Sequence, residues 1–82
     1  MTEVATVIAF QPASGRIALK VGDGSFVLAE QTDATPVKEG AQLIGNMREF
    51  GPETWVDEAN HSTYEVFVLG WDLSQEAIDI EM

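Results

Sequence analysis

Short apolar segments broken by turn-forming residues run along most of this 82-residue chain, and they constrain its fold more than any other feature. About six segments rich in β-branched and aromatic residues are separated by stretches containing Gly, Pro or Asn, spaced about 8–12 residues apart. Residues 16–21 alternate as a half-buried strand does, with Ile17, Leu19 and Val21 on one face. The pattern predicts a mainly β fold, a small antiparallel barrel of five to six strands, because closure removes exposed sheet edges.

Turn signals divide the chain into its expected strands. Gly22-Asp23-Gly24 predicts a tight hairpin turn, and it lacks the spacing of a phosphate-binding loop. Gly51-Pro52 indicates a break between strands. Apolar residues on both faces of 63–71 are typical of a central strand. The strands are expected at residues 4–10, 16–21, 25–30, 41–48, 53–57 and 63–71.

The last residues, 72–82, fit two patterns. Apolar residues at every second position from 78 to 82 are typical of a strand, but apolar residues at i, i+4 and i+7 also form a helix face. That face consists of Leu73, Ala77 and Ile80. Asp72 or Ser74 can cap such a helix, so we favour a short C-terminal helix at about 72–82 and keep a strand over 74–82 as the alternative.

Negative charge is concentrated in the second part of the chain. The net charge is −10, and nine of the fourteen acidic residues, but none of the four basic ones, lie beyond residue 48. Nucleic-acid affinity comes mainly from Lys and Arg at phosphates, so this balance argues against an ordinary nucleic-acid binder. The acidic residues either keep the protein soluble or form a negative face for a basic partner.

Length and composition narrow the class further. The chain has no cysteine, which excludes disulfides, thiolate catalysis and zinc ribbons. No apolar run approaches the roughly 18 residues of a membrane span, and the first residues lack the basic region of a signal peptide. We therefore expect a cytoplasmic protein with no membrane partner, folded as one domain over residues 1–82. Its core is thin, and association with a second copy would add to it.

Residues in the first half follow a recognisable order: a strand ending in Phe, a turn with Gly, a second strand, an Asp-Gly turn, a third strand and a Glu-Gly turn. They are Thr6-Val7, Phe10, Gly15, Asp23-Gly24, Phe26-Val27 and Glu39-Gly40. In these features residues 5–45 resemble the cold-shock domain, a small five-stranded OB-fold barrel. The resemblance implies an OB or cold-shock-like barrel, and an SH3-like barrel fits the strand pattern as well.

The resemblance does not extend to the aromatic residues on which cold-shock domains stack bases. Ala9 stands where the family has Trp, Arg16-Ile17-Ala18 replaces Phe-Gly-Phe, and Leu28 replaces His. Phe10 and Phe26 alone do not make a platform for single strands. The resemblance therefore implies the fold, and weak single-stranded nucleic-acid binding is only a minor alternative function.

Residues that could carry chemistry are sparse. His61 is the single histidine; with Asp57 and Glu58 it could in principle hold a metal, but an exposed loop histidine is the simpler interpretation. The neighbouring carboxylates Asp79 and Glu81 fit solvated surface charge better than acid–base catalysis, which requires a desolvated pocket. We therefore expect no enzymatic activity, no cofactor and no metal.

The two tryptophans are the largest apolar side chains and the first candidates for a binding surface. Core packing is the simpler interpretation of both; Trp55, which lies between polar stretches, is the better candidate for an exposed anchor, beside Asp57 and Glu58. Trp71 is a second candidate, or else it covers one end of the barrel. The predicted function is a non-catalytic protein-interaction or self-association module, whose partner is another protein or a second copy in a homodimer. The alternative is an acidic nucleic-acid mimic, a decoy of the kind that phages and mobile elements use.

Overall fold

Residues 2–82, which the computed structural model describes, form a closed antiparallel barrel followed by one short helix. The elements are β1 (Thr2–Gln11), β2 (Arg16–Val21), β3 (Phe26–Gln31), β4 (Gln42–Asn46), β5 (Gly51–Asp57), β6 (Thr63–Leu73) and α1 (Gln75–Glu81). Around the barrel the strands follow the order β1-β2-β3-β6-β5-β4, and β4 pairs with β1 to close it. The predicted mainly β class, antiparallel barrel and C-terminal helix are confirmed, and the closed barrel is compatible with an OB-like fold.

The expected break at Gly51-Pro52 is wrong. Both residues belong to β5, where Gly51 pairs with Val68 and Pro52 pairs with Phe67. Gly51 adopts a φ of +121°, which an L side chain rarely takes, and Pro52 is exposed at the beginning of the strand, where a missing N–H is tolerated. The signal of a break therefore marks the tightly bent start of a strand.

The interior of the barrel is filled by one face of every strand. The alternation predicted for β2 is confirmed, because Ile17, Leu19 and Val21 are all buried there. Trp55 from β5 and Met47 from the β4–β5 connection are also fully buried in this interior cluster. A continuous core of this kind is what a closed barrel of short strands requires.

A second cluster lies on the outer face of the barrel, beneath α1. Ile78 of α1 packs on Ala18 of β2 and on Phe26 and Leu28 of β3. Ser74 caps the helix, because its side chain accepts a hydrogen bond from the Ala77 N–H at 3.2 Å. The predicted helix is thereby confirmed, but it begins at Gln75 and not near residue 72, because Asp72 and Leu73 still belong to β6. The strand alternative for 74–82 is wrong. Among the described residues, no helix is long and apolar enough to cross a membrane.

The pairing of β6 with β3 is irregular, and this decides where the end of β6 points. The register shifts on both sides of Leu28, and Asp72 has a φ of +54°. As a result Leu69 and Leu73 pack into the outer cluster, whereas Trp71 between them packs against the interior cluster. In a regular strand Trp71 would lie on the same face as Leu69; the bulges turn it inward.

Candidate interaction surface

Trp55 is not an exposed anchor. Its side chain is 0% exposed, and the indole Nε1 donates a hydrogen bond to the backbone oxygen of Asn46 at 2.9 Å. Gly45 leaves room for the ring: a Cβ at that position would lie 2.3 Å from Trp55 Cδ1. Trp55 is therefore a core residue, as the simpler interpretation held, and it offers no surface to a partner.

Asp57 and Glu58, the acidic interface candidates, differ in their surroundings. Asp57 is only 6% exposed, and its Oδ1 accepts hydrogen bonds from the N–H groups of Ala59 at 2.8 Å and Asn60 at 3.3 Å. This carboxylate organises the β5–β6 turn and is not presented to a partner. Glu58 beside it is exposed. The predicted grouping of Trp55, Asp57 and Glu58 therefore does not form a common surface.

The remaining tryptophan candidate, Trp71, is half-buried against the interior cluster. Most of its role is packing. The barrel face on which cold-shock domains would stack bases is likewise occupied: Phe26 is buried beneath α1, and Phe10 packs against the interior cluster. The two aromatic residues that matched the cold-shock pattern are therefore used for packing.

A different set of apolar residues forms a continuous strip on the outer surface. Phe50 is 64% exposed and its ring meets that of Phe67 edge to face, with the centroids 5.2 Å apart. Phe67 and Leu69 are alternate residues on the outer face of β6. Leu69 in turn lines a groove together with Ile80, which is 76% exposed on α1. We call Phe50, Phe67, Leu69 and Ile80 the β6 strip.

The groove at one end of the strip lies between α1 and the barrel and has a volume of about 460 Å³. Its walls are mostly apolar: Leu28, Leu69, Gly70, Leu73, Ala77 and Ile80. Two residues of the predicted helix face, Ala77 and Ile80, line it from α1, whereas the third, Leu73, lines it from the end of β6. Arg16 and Glu81 close the groove on one side with an ion pair of 2.7 Å.

The borders of the strip carry mainly negative charge. Glu30 pairs across the sheet with Phe67, and Glu65 lies two residues before it on the same outer face. Glu49 directly precedes Phe50 and accepts a hydrogen bond from Asn46. These three carboxylates are exposed. Among the described residues, Arg16 is the one basic side chain that lines the groove, and its charge is offset by Glu81.

Arg48 gathers three further carboxylates at one end of the barrel. Its guanidinium contacts Glu3 of β1 at 2.9 Å, Asp23 of the β2–β3 turn at 2.7 Å, and Asp72 at the end of β6. Hydrogen bonds from the Ser25 hydroxyl and N–H, together with Arg48, lower the pKa of Asp23 to about 2. The contacts with Glu3 and Asp23 raise the pKa of Arg48 above its usual range.

The acidic residues beyond position 48 do not share one face. Asp72 lies at the Arg48 end of the barrel, whereas Asp57 lies at the opposite end, as the last residue of β5. Glu65 projects from the wall of the barrel, and the remaining acids include three on α1. Negative charge therefore surrounds the molecule.

The sequence analysis did not identify Phe50 or Ile80 as part of an exposed apolar surface, although the sequence contains an indication of each. Phe50 is an aromatic residue in a polar connection between β4 and β5. Ile78 and Ile80 are about 200° apart around a helix, so a two-turn helix packed on a barrel can bury only one of them. The structure buries Ile78 and exposes Ile80.

The other candidate residues do not assemble into a chemical site. His61 is exposed in the β5–β6 turn with a φ of +62°. Within residues 2–82, no group of three or more His, Asp or Glu side chains is arranged to hold a metal ion. Comparison of the chain with protein-family models, with curated proteins and with solved structures gives no match.

Proposed function

We propose that this protein is a non-catalytic interaction module that binds a protein partner through the β6 strip. The observation that carries the proposal is the alignment of these apolar residues along one outer face, with the two most exposed, Phe50 and Ile80, at opposite ends. Small soluble domains rarely expose connected apolar side chains unless these side chains contact a partner, because exposure favours aggregation.

The architecture suits such a role. The strip is carried by β6, which is hydrogen-bonded on both sides, and by a helix capped by Ser74 and tied to β2 by the Arg16–Glu81 ion pair. Side chains on rigid elements lose little conformational entropy on binding. Self-association through the same strip is the second form of this proposal.

The decoy alternative draws less support from the charge distribution. A nucleic-acid mimic needs carboxylates in a row that can replace phosphates, whereas the acids here lie at both ends of the barrel, on its wall and on α1. The two functions differ in their salt dependence. Capture of basic DNA-binding proteins that weakens steeply with salt would favour the decoy.

Photo-crosslinking tests the proposal directly. A photoreactive amino acid at position 50 should crosslink to one defined protein, or to a second copy of this chain, in the cells that produce it. The matched control is position 4: Val4 is 44% exposed and lies on β1, on the opposite side of the barrel from β6. Equal products from both positions, or none from position 50, would rule out the strip as the binding surface.

A further inference from the structure

We infer that the occupant of the β6 strip is a basic amphipathic segment of another protein, with apolar side chains facing the strip and Lys or Arg beside them. This inference rests on the proposed function and adds the chemistry of the partner. The chemistry of the partner follows from the surface of the strip, which has an apolar groove at one end, further apolar side chains beyond the groove, and exposed carboxylates along its borders.

The apolar part of the partner is set by the groove. A volume of about 460 Å³ lies within the range of clefts that enclose a ligand group. Its walls carry methyl and methylene groups from Leu69, Leu73 and Ile80, so an aliphatic side chain would fill it. Phe50 and Phe67 extend the apolar contact beyond the groove, which suits a segment with several apolar residues rather than one inserted side chain.

The charged part of the partner is set by the borders. Glu30, Glu49 and Glu65 flank the strip with exposed carboxylates, while the guanidinium of Arg16 is already paired with Glu81. Lys or Arg side chains next to the apolar residues of a partner would meet these carboxylates.

The same charges argue against a second copy as the occupant. A two-fold dimer brings the same patch from both subunits together, so the Glu30, Glu49 and Glu65 carboxylates of one copy would lie close to those of the other. The net charge of −10 adds a long-range repulsion between copies. A basic partner removes both costs.

The test uses a fluorescent amphipathic peptide of Leu and Lys, about 14 residues long, titrated with the full chain at several salt concentrations. A control peptide has Glu in place of each Lys. We expect the Leu/Lys peptide to bind and the Leu/Glu peptide not to bind. Phe50→Ser and Ile80→Ser should each weaken binding by about fivefold or more, as truncation of an interface anchor does.

Two further variants separate the strip from general attraction to an acidic protein. Val4→Ser, an equally mild change at an exposed residue outside the strip, should leave affinity within about twofold. Glu30→Gln combined with Glu65→Gln should weaken binding and flatten its salt dependence. All five substituted residues are exposed to solvent, and unchanged thermal unfolding would confirm that the variants fold.

The outcomes distinguish the two proposals. If Val4→Ser weakens peptide binding as much as Ile80→Ser does, or if both peptides bind equally, the inference about the partner is overturned. If crosslinking from position 50 yields a second copy of the chain, the interaction function stands and a basic partner is excluded. If neither crosslinking nor peptide binding depends on the strip, both proposals fail.

Discussion

Gly45 lies against the indole of Trp55, and its replacement by alanine gives the sharpest test of the barrel core. The added Cβ would lie 2.3 Å from Trp55 Cδ1, whereas carbon atoms in contact prefer about 3.5–4.0 Å. More than about 1 Å of movement is therefore needed. Trp55 is fully buried and held by its hydrogen bond to Asn46, so it has no free space into which to move.

The expected cost can be worked from these contacts. Overpacking of a core costs about 1–3 kcal/mol, and weakening the indole hydrogen bond adds about 1 kcal/mol. We expect Gly45→Ala to lower the free energy of unfolding by about 2–4 kcal/mol. A domain of this length has a total stability of about 4–12 kcal/mol, so the loss is a large fraction of it.

Urea denaturation followed by tryptophan fluorescence measures this loss. Gly22→Ala is the matched control, because a Cβ there meets nothing within 4 Å, and it should change the free energy of unfolding by less than about 1 kcal/mol. In a Trp55→Leu background the Gly45→Ala change should become nearly neutral, since the clash is gone. Equal denaturation midpoints for Gly45→Ala and Gly22→Ala would refute the packing argument.

Three further predictions concern charge and capping. Burial by itself raises the pKa of Asp33. Hydrogen bonds from the Glu65 N–H, the Gln31 amide and the Thr35 N–H outweigh this effect and lower the pKa from its usual 3.8. A pKa that is lower in the folded than in the unfolded state adds stability at higher pH, and this added stability is lost as the pH falls below about 4. Asp33→Asn should therefore flatten acid unfolding between about pH 5 and 2, and an unchanged profile would contradict the assignment. Arg48→Gln should destabilise the fold by leaving three carboxylates together, and about 1 M NaCl should restore part of the loss, as chemical denaturation would show. Ser74→Ala should lower the free energy of unfolding by about 1 kcal/mol and reduce the helical circular dichroism signal. No change in either measurement would show that the Ser74 cap does not stabilise α1.

Several features followed from local pattern. The alternation of Ile17, Leu19 and Val21 specified a strand with one face in the core, and the structure buries all three. The Asp-Gly hairpin turn and the cap at Ser74 also rest on the chemistry of a few neighbouring residues. These three signals predicted the structure correctly because each depends on backbone preferences and side-chain period within one element.

The candidate site depended on contacts that no local pattern contains. Trp55 stands among polar residues, yet the space left by Gly45 on the neighbouring strand draws its ring into the core. Trp71 shares a face with Leu69 in a regular strand, and the irregular pairing of β6 with β3 turns it inward instead. The exposure of both tryptophans is therefore decided by the strand that pairs alongside and not by their neighbours in the sequence.

Strand period, turn chemistry and net charge are local or additive properties, so the residues alone predict a mainly β barrel, a short C-terminal helix and a strongly acidic surface. Which apolar residues remain outside depends instead on the assembled fold. Closure of the barrel and docking of α1 fill the available core, and Phe50 and Ile80 are left exposed at the two ends of the β6 strip. Exposure of this kind depends on how many faces the fold can cover, which is a property of the whole molecule.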